Sequence, residues 1–140
     1  MNNQNQRWGM QMWQGIVFSA ALLLSAATHA QTVIESVVGS TQGGAEIVRI
    51  DLSKELTAAP VGFAIQSPAR IALDFPGVTS AMGRSTVDIN QGNLKSVSVV
   101  QAGERTRVVL NLKNPVGYRA DIQGKSLFIV LDSAVQGATV

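Results

Sequence analysis

Four charged residues carry the chemistry that this sequence can offer: Arg70 and Asp74 in ARIALDFPGV (Ala69 to Val78), and Arg105 and Arg107 in RTRVVLNL (Arg105 to Leu112). In the first segment Ile71, Leu73 and Phe75 alternate with Arg70, Ala72 and Asp74. A period of two places the charges on one face of a strand and the apolar side chains on the other. In the second, Val108, Leu110 and Leu112 point one way and Arg105, Arg107 and Asn111 the other. Guanidinium groups held out on a solvent face suit ion pairing and hydrogen bonding better than bond-making. Pro76-Gly77 ends the first strand, since Pro cannot donate to a ladder and Gly tolerates the turn.

Composition narrows the chemistry further. The chain has no Cys, which excludes a disulfide framework, a thiolate nucleophile, a zinc–thiolate site and a lipidated cysteine. Its one His, His29, lies in a segment expected to be removed. The remainder therefore lacks the usual general base and the commonest transition-metal ligand, and no cofactor or metal is expected.

That removable segment is residues 1–30. Ile16 to Ala27 is a short apolar run, Arg7 supplies positive charge upstream, and Thr28-His29-Ala30 offers small residues before a cut at Gln31. Charge order, core length and exit are those of a secretory signal peptide. The run falls below the roughly 20 residues that a spanning helix needs.

Cleavage leaves 110 residues, enough for one domain with a modest core. Its charge is nearly balanced but uneven. Residues 31–93 carry four basic and six acidic groups, residues 94–140 six basic and three acidic. The second half is the better candidate for an anionic partner. Nucleic acid is not expected, because a groove binder should be more basic and this chain is read as exported.

The elements that must position the four residues read as strands. They run over Thr32–Val38, Ala45–Leu52, Val61–Gln66, Arg70–Phe75, Ser85–Asn90, Leu94–Gln101, Arg105–Leu112, Tyr118–Ile122 and Ser126–Asp132. Gly, Pro and Asn turn signals separate them. Ser53 to Ala59 could form one helical turn, too short to stand alone. The order VIESVV…QGGAEIVRIDL returns as SVSVV…AGERTRVVLNL, each followed by Pro-Val-Gly-aromatic (Pro60 to Phe63; Pro115 to Tyr118) and by an apolar strand closing in Leu-Asp. The fold expected is all-β: a small antiparallel β-sandwich of two similar sheets, produced by internal duplication. The expected core includes Val48, Ile50, Leu52, Phe63, Ile65, Ile71, Leu73, Phe75, Val97, Val99, Val108, Leu110, Leu112, Ile122, Leu127, Ile129 and Leu131, with the Tyr118 ring inward and its hydroxyl near water. Phe63, Phe75 and Phe128 are expected in the core rather than as stacking platforms. Asp74 and Asp132, near strand ends, are expected as turn acceptors.

ARIALDFPGV, QAGERTRVVLNL and PVGYRADIQGKSLFIVLD, in that order, resemble the AMIN domain of type IV pilus secretins and, more distantly, of periplasmic amidases. The resemblance spans roughly residues 32 to 133 and divides the chain into a signal peptide (1–30), an AMIN-like domain (31–133) and a tail or start of linker (134–140). It implies a non-catalytic module in the periplasm that binds peptidoglycan and positions an outer-membrane secretin for pilus biogenesis and secretion. Its partners would be peptidoglycan, other pilus-assembly proteins and the rest of a secretin oligomer. The family's Arg-x-x-x-Asp strand maps to Arg70 and Asp74, and its turn with Arg-x-Arg to Gly103, Arg105 and Arg107. Asp74 would orient Arg70 or accept from a sugar hydroxyl. An amidase would need a zinc site that a chain without mature His does not offer. A secretin continues for several hundred residues, so this chain is expected to be an N-terminal fragment or a gene product reduced to the module.

Two other readings stand beside it. The charged pairs could be plain surface ion pairs that keep strands soluble. The domain could instead dock another pilus or envelope component by strand addition at an exposed edge. Paired carboxylates for glycoside hydrolysis are not evident, because no acidic pair sits in an identifiable cleft.

Overall fold

Alternating side chains become ten strands in a computed structural model that describes residues 31–133. The expected signal peptide and tail lie outside the described residues. The strands are β1 (Thr32–Gln42), β2 (Ala45–Leu52), β3 (Val61–Gln66), β4 (Ala69–Pro76), β5 (Val78–Ser80), β6 (Thr86–Gln91), β7 (Leu94–Ala102), β8 (Arg105–Leu112), β9 (Tyr118–Gln123) and β10 (Ser126–Leu131). They form two five-stranded sheets, ordered β5-β1-β2-β10-β9 and β3-β4-β8-β7-β6. All pairings are antiparallel except β1 with β5.

The expected all-β sandwich is what forms, and the repeat is visible in its geometry. Val33–Leu52 aligns with Asn93–Leu112 without a gap. Both hairpins carry a register shift at the same place, between Ile34 and Ser36 and between Leu94 and Ser96. The backbone bond from Ser53 N–H to Val33 C=O has its counterpart from Lys113 to Asn93. Each half gives one hairpin to each sheet: β1–β2 joins β9–β10, and β7–β8 joins β3–β4. Neither half holds a complete sheet alone, so the two fold as one unit.

Between the sheets lie Ile34, Val48, Ile50, Ile71, Leu73, Phe75, Val97, Val108, Leu110, Leu127 and Ile129, each at most 1% exposed. Each such side chain contributes about 1.5–3 kcal/mol of transfer free energy. Thr106 is the buried polar exception among the described residues, and its hydroxyl donates to the Val78 carbonyl at 2.5 Å, joining β8 to β5.

Several expectations are corrected. Residues 53–60 form bends rather than a helical turn. Strand β5 was not anticipated; three residues are too few for a period, and its partner β1 is distant in sequence. Phe63 and Ile65 leave the core for the outer face, opposite Ala72 and Arg70. Phe128 likewise lies outside, opposite Arg49. At β3 the cause is Gly62. A Cβ there would collide with the Tyr118 hydroxyl and sit 2.7 Å from Leu73 Cδ2. The tyrosine of β9 thus fills the interior over a glycine, and the small residues of β3 face inward. A one-residue slip moves every side chain of a strand to the opposite face. The Tyr118 ring packs on the core as expected, but its hydroxyl lies against Gly62.

Candidate functional site

The outer face of the β3-β4-β8-β7-β6 sheet gathers all four charged residues. β4 contributes Arg70, Ala72, Asp74 and Pro76, which pair with Asn111, Val109, Arg107 and Arg105 of β8. Inner neighbours Ile71, Leu73, Phe75, Val108 and Leu110 fix this orientation, because their burial leaves the alternate positions no other side. Arg105 and Arg70 stand at the two ends of the row, six residues apart in register, or about 20 Å along the strands. The Arg107–Asp74 pair stands between them.

Arg107 grips Asp74 with both donors: Nε to Oδ1 at 2.7 Å and Nη2 to Oδ2 at 2.9 Å. This two-pronged match of guanidinium and carboxylate fixes both side chains. The hydrogen bonds from Arg107, aided by its charge and that of Arg105, hold the Asp74 carboxyl below its ordinary pKa. The same contact raises the pKa of Arg107. Asp74 is therefore neither a turn acceptor nor the orienting partner of Arg70. Its partner is an arginine across the strand pair. The reading of Arg107 as half of an ion pair is what the geometry shows for that residue.

Two other features border the pair. The Arg107 guanidinium carbon lies 5.5 Å from the centroid of the Phe63 ring, a cation–π distance. Phe63 is 42% exposed. Beyond β8, Asn111 Nδ2 donates to Ser96 Oγ and Ser98 Oγ at 3.1 and 3.2 Å, giving a polar strip of amide and hydroxyls. Arg70 Nε is buried and has no hydrogen-bond partner. The face thus offers cations at both ends, a fixed ion pair in the middle, an aromatic ring on one side and hydroxyls on the other. Guanidinium forks match carboxylates, an aromatic ring offers apolar surface, and hydroxyls and an amide exchange hydrogen bonds with polar groups. Among the described residues no three His, Cys, Asp or Glu side chains gather as a metal site.

Residue chemistry alone overlooked Phe63, Ser96 and Ser98 as members of this face, while Asn111 was expected there beside Arg105 and Arg107. The signal for the serines was present in the alternation of LKSVSVVQ. For Phe63 it lay in Gly62, whose missing side chain marks the inward position.

Sandwich and sequence together define the class. The AMIN domain family model matches residues 37–131, and the chain belongs to that family. It is 43% identical over 86 residues to the fimbrial assembly protein PilQ of Pseudomonas aeruginosa, covering 61% of this chain and 12% of that protein. It is 30% identical over 120 residues to the type IV pilus biogenesis and competence protein PilQ of Neisseria gonorrhoeae, covering 86% of this chain and 16% of that protein. The chain thus spans less than a fifth of the length of these curated relatives.

Proposed function

We propose that this domain is a non-catalytic peptidoglycan-binding module that anchors and positions a type IV pilus secretin in the periplasm. The supporting observation is the row of Arg105, Arg107 and Arg70 on one face of β4 and β8. Peptidoglycan presents carboxylates on peptide stems and lactyl groups, with N-acetyl amides and sugar hydroxyls between them. Arg70 and Arg105, which stand apart from the Arg107–Asp74 pair, supply the forks for carboxylates. Arg107, held by Asp74, positions Phe63 and keeps the centre of the face rigid. Phe63 gives sugar C–H groups an apolar surface, and Asn111 with its serines suits amides and hydroxyls.

Likeness to two proteins named for fimbrial assembly and type IV pilus biogenesis supports the pilus setting. A leader over residues 1–30 would deliver the domain to the periplasm, and a secretin parent would associate it with the outer membrane. Intrinsic affinity is weak, about micromolar or poorer, and repeated copies on a polymer supply avidity. Co-sedimentation with purified, insoluble sacculi tests the reading. The wild type should pellet with the wall, and Arg105→Ala combined with Arg107→Ala should stay largely in the supernatant. Equal pelleting of both would overturn it.

A further inference from the structure

Each sheet has two edges, and three of the four are blunted. β5 is only three residues long. β9 carries Arg119 and Asp121 in its middle. β6 carries Asp88, a register shift before Gln91 and Asn90 at a positive φ of 51°. Short length, charge and irregularity are the devices that stop an edge from pairing with another chain. β3 has none of them. It runs VGFAIQ for six residues with no charge, no proline and an unbroken register against β4. Its outer side has no paired strand among the described residues. Val61 is 71% exposed and Phe63 42%, so the edge is apolar as well as open.

We propose that β3 is a docking edge for an extended segment of another protein, which adds as a sixth, antiparallel strand with aliphatic residues opposite Val61 and Phe63 and an acidic residue opposite Ile65. Half of the N–H and C=O groups of an edge strand face away from its partner, and an added strand satisfies them. The aliphatic positions are set by Val61 and Phe63, which give a cross-strand neighbour an apolar surface. The acidic preference is set by the next strand inward. Opposite Ile65 stands Arg70, whose Nε is buried without a partner, while Asp74, opposite Val61, is already consumed by Arg107. A carboxylate placed opposite Ile65 lies two strand spacings from Arg70, about 10 Å between backbones, within reach of two long side chains extended toward each other. A lysine there would meet an arginine. This inference rests on the open backbone of β3, whereas wall binding rests on side chains of the sheet's face; Phe63 and Arg70 serve both, but the unpaired N–H and C=O groups of β3 serve strand addition alone.

The test uses the isotope-labelled protein and a synthetic, end-blocked seven-residue peptide, Thr-Glu-Thr-Val-Thr-Val-Thr, whose Glu and two Val residues share one face and fall opposite Ile65, Phe63 and Val61 when it pairs antiparallel, at about the length of an ordinary strand. Amide exchange and chemical shifts should report protection confined to β3. N-methylating alternate peptide residues in one phase should weaken binding about tenfold or more, and in the other phase should leave it intact, since only one phase points at the domain. Replacing Glu by Lys should weaken binding similarly. Four results would each overturn the proposal: no protection of the outward-facing β3 amides at millimolar peptide, equal loss in both phases, equal binding of the Lys peptide, or outward-facing β3 amides already protected in the free protein by a second copy or by the chain's own outlying residues. Loss of sacculus binding with β3 protection retained would count only against the wall-anchoring function.

Discussion

Arg107 of β8 holds Asp74 of β4 by two parallel hydrogen bonds, 2.7 and 2.9 Å long, across directly paired positions. The contact divides the arginines of the face into two kinds. Arg107 is committed to the protein, while Arg70 and Arg105 stand outside the pair. Lysine cannot reproduce a planar fork. Arg107→Lys should therefore release Asp74 and Phe63 from their fixed arrangement, lowering Tm slightly and weakening sacculus binding although the charge is kept. Thermal melts and co-sedimentation check this; retention of both values would show that the fork is dispensable.

Arg70→Ala and Arg105→Ala act differently. Neither breaks an ion pair seen in the structure, so Tm should hold. Each should weaken binding to soluble peptidoglycan fragments about tenfold, the scale of a lost charge-assisted hydrogen bond. Titration followed by fluorescence or calorimetry gives the number.

Phe63 and Phe75 offer a contrast between two residues of one type. Phe75 is 1% exposed, and Phe75→Ala should cost about 3–5 kcal/mol, with a correspondingly lower urea midpoint. Phe63→Ala should cost far less stability, because the ring is already partly in water, but should weaken wall binding. Equal destabilisation by both would place Phe63 in the core after all.

The faces on which these rings lie were only partly legible in the sequence. Alternation located nine of the ten strands and put Arg70 with Asp74 and Arg105 with Arg107, because period two fixes which residues share a side. It does not say which side is wet. For β4 and β8 the charges decided it. For β3, with apolar Val61, Phe63 and Ile65 against Gly62, Ala64 and Gln66, hydrophobicity pointed to the wrong answer. The deciding fact, the Tyr118 hydroxyl over Gly62, is a contact between strands far apart in sequence. The Arg107–Asp74 pairing was hidden for the same reason, since register between β4 and β8 is not written in either strand alone. The duplication was legible because its two hairpins align without a gap, but the exchange of hairpins between sheets was not.

Gly62→Ala tests that contact. The new methyl group has no room beside the Tyr118 hydroxyl and Leu73, and such overpacking typically costs about 1–3 kcal/mol. Adding Tyr118→Phe should recover part of the loss. Urea denaturation of the single and double variants measures both; full tolerance of Gly62→Ala would mean that Tyr118 does not occupy this position.

Acid should weaken the fold through two aspartates. Ser126, with further help from Arg49 and Ser36, holds Asp51 below its ordinary pKa, and Arg107 does the same for Asp74. A lowered folded-state pKa means that the unfolded chain binds protons more readily. The stabilisation is therefore complete above the ordinary carboxylate value of about 3.9 and is lost as pH falls below it through the folded values. Urea midpoints should be level from about pH 7 to 5 and drop below about pH 4. In Asp51→Asn and Asp74→Asn the drop should be shallower. An unchanged acid slope would remove both contacts as its source.

The most direct measurement is a chemical-shift map of the isotope-labelled domain titrated with soluble peptidoglycan fragments. Perturbations should concentrate on the outer face of β3, β4 and β8, with the Arg70 and Arg105 side chains moving most and the opposite sheet silent. Saturable shifts centred on the β5-β1-β2-β10-β9 face, or none at millimolar fragment, would contradict a wall-binding role for the arginine row.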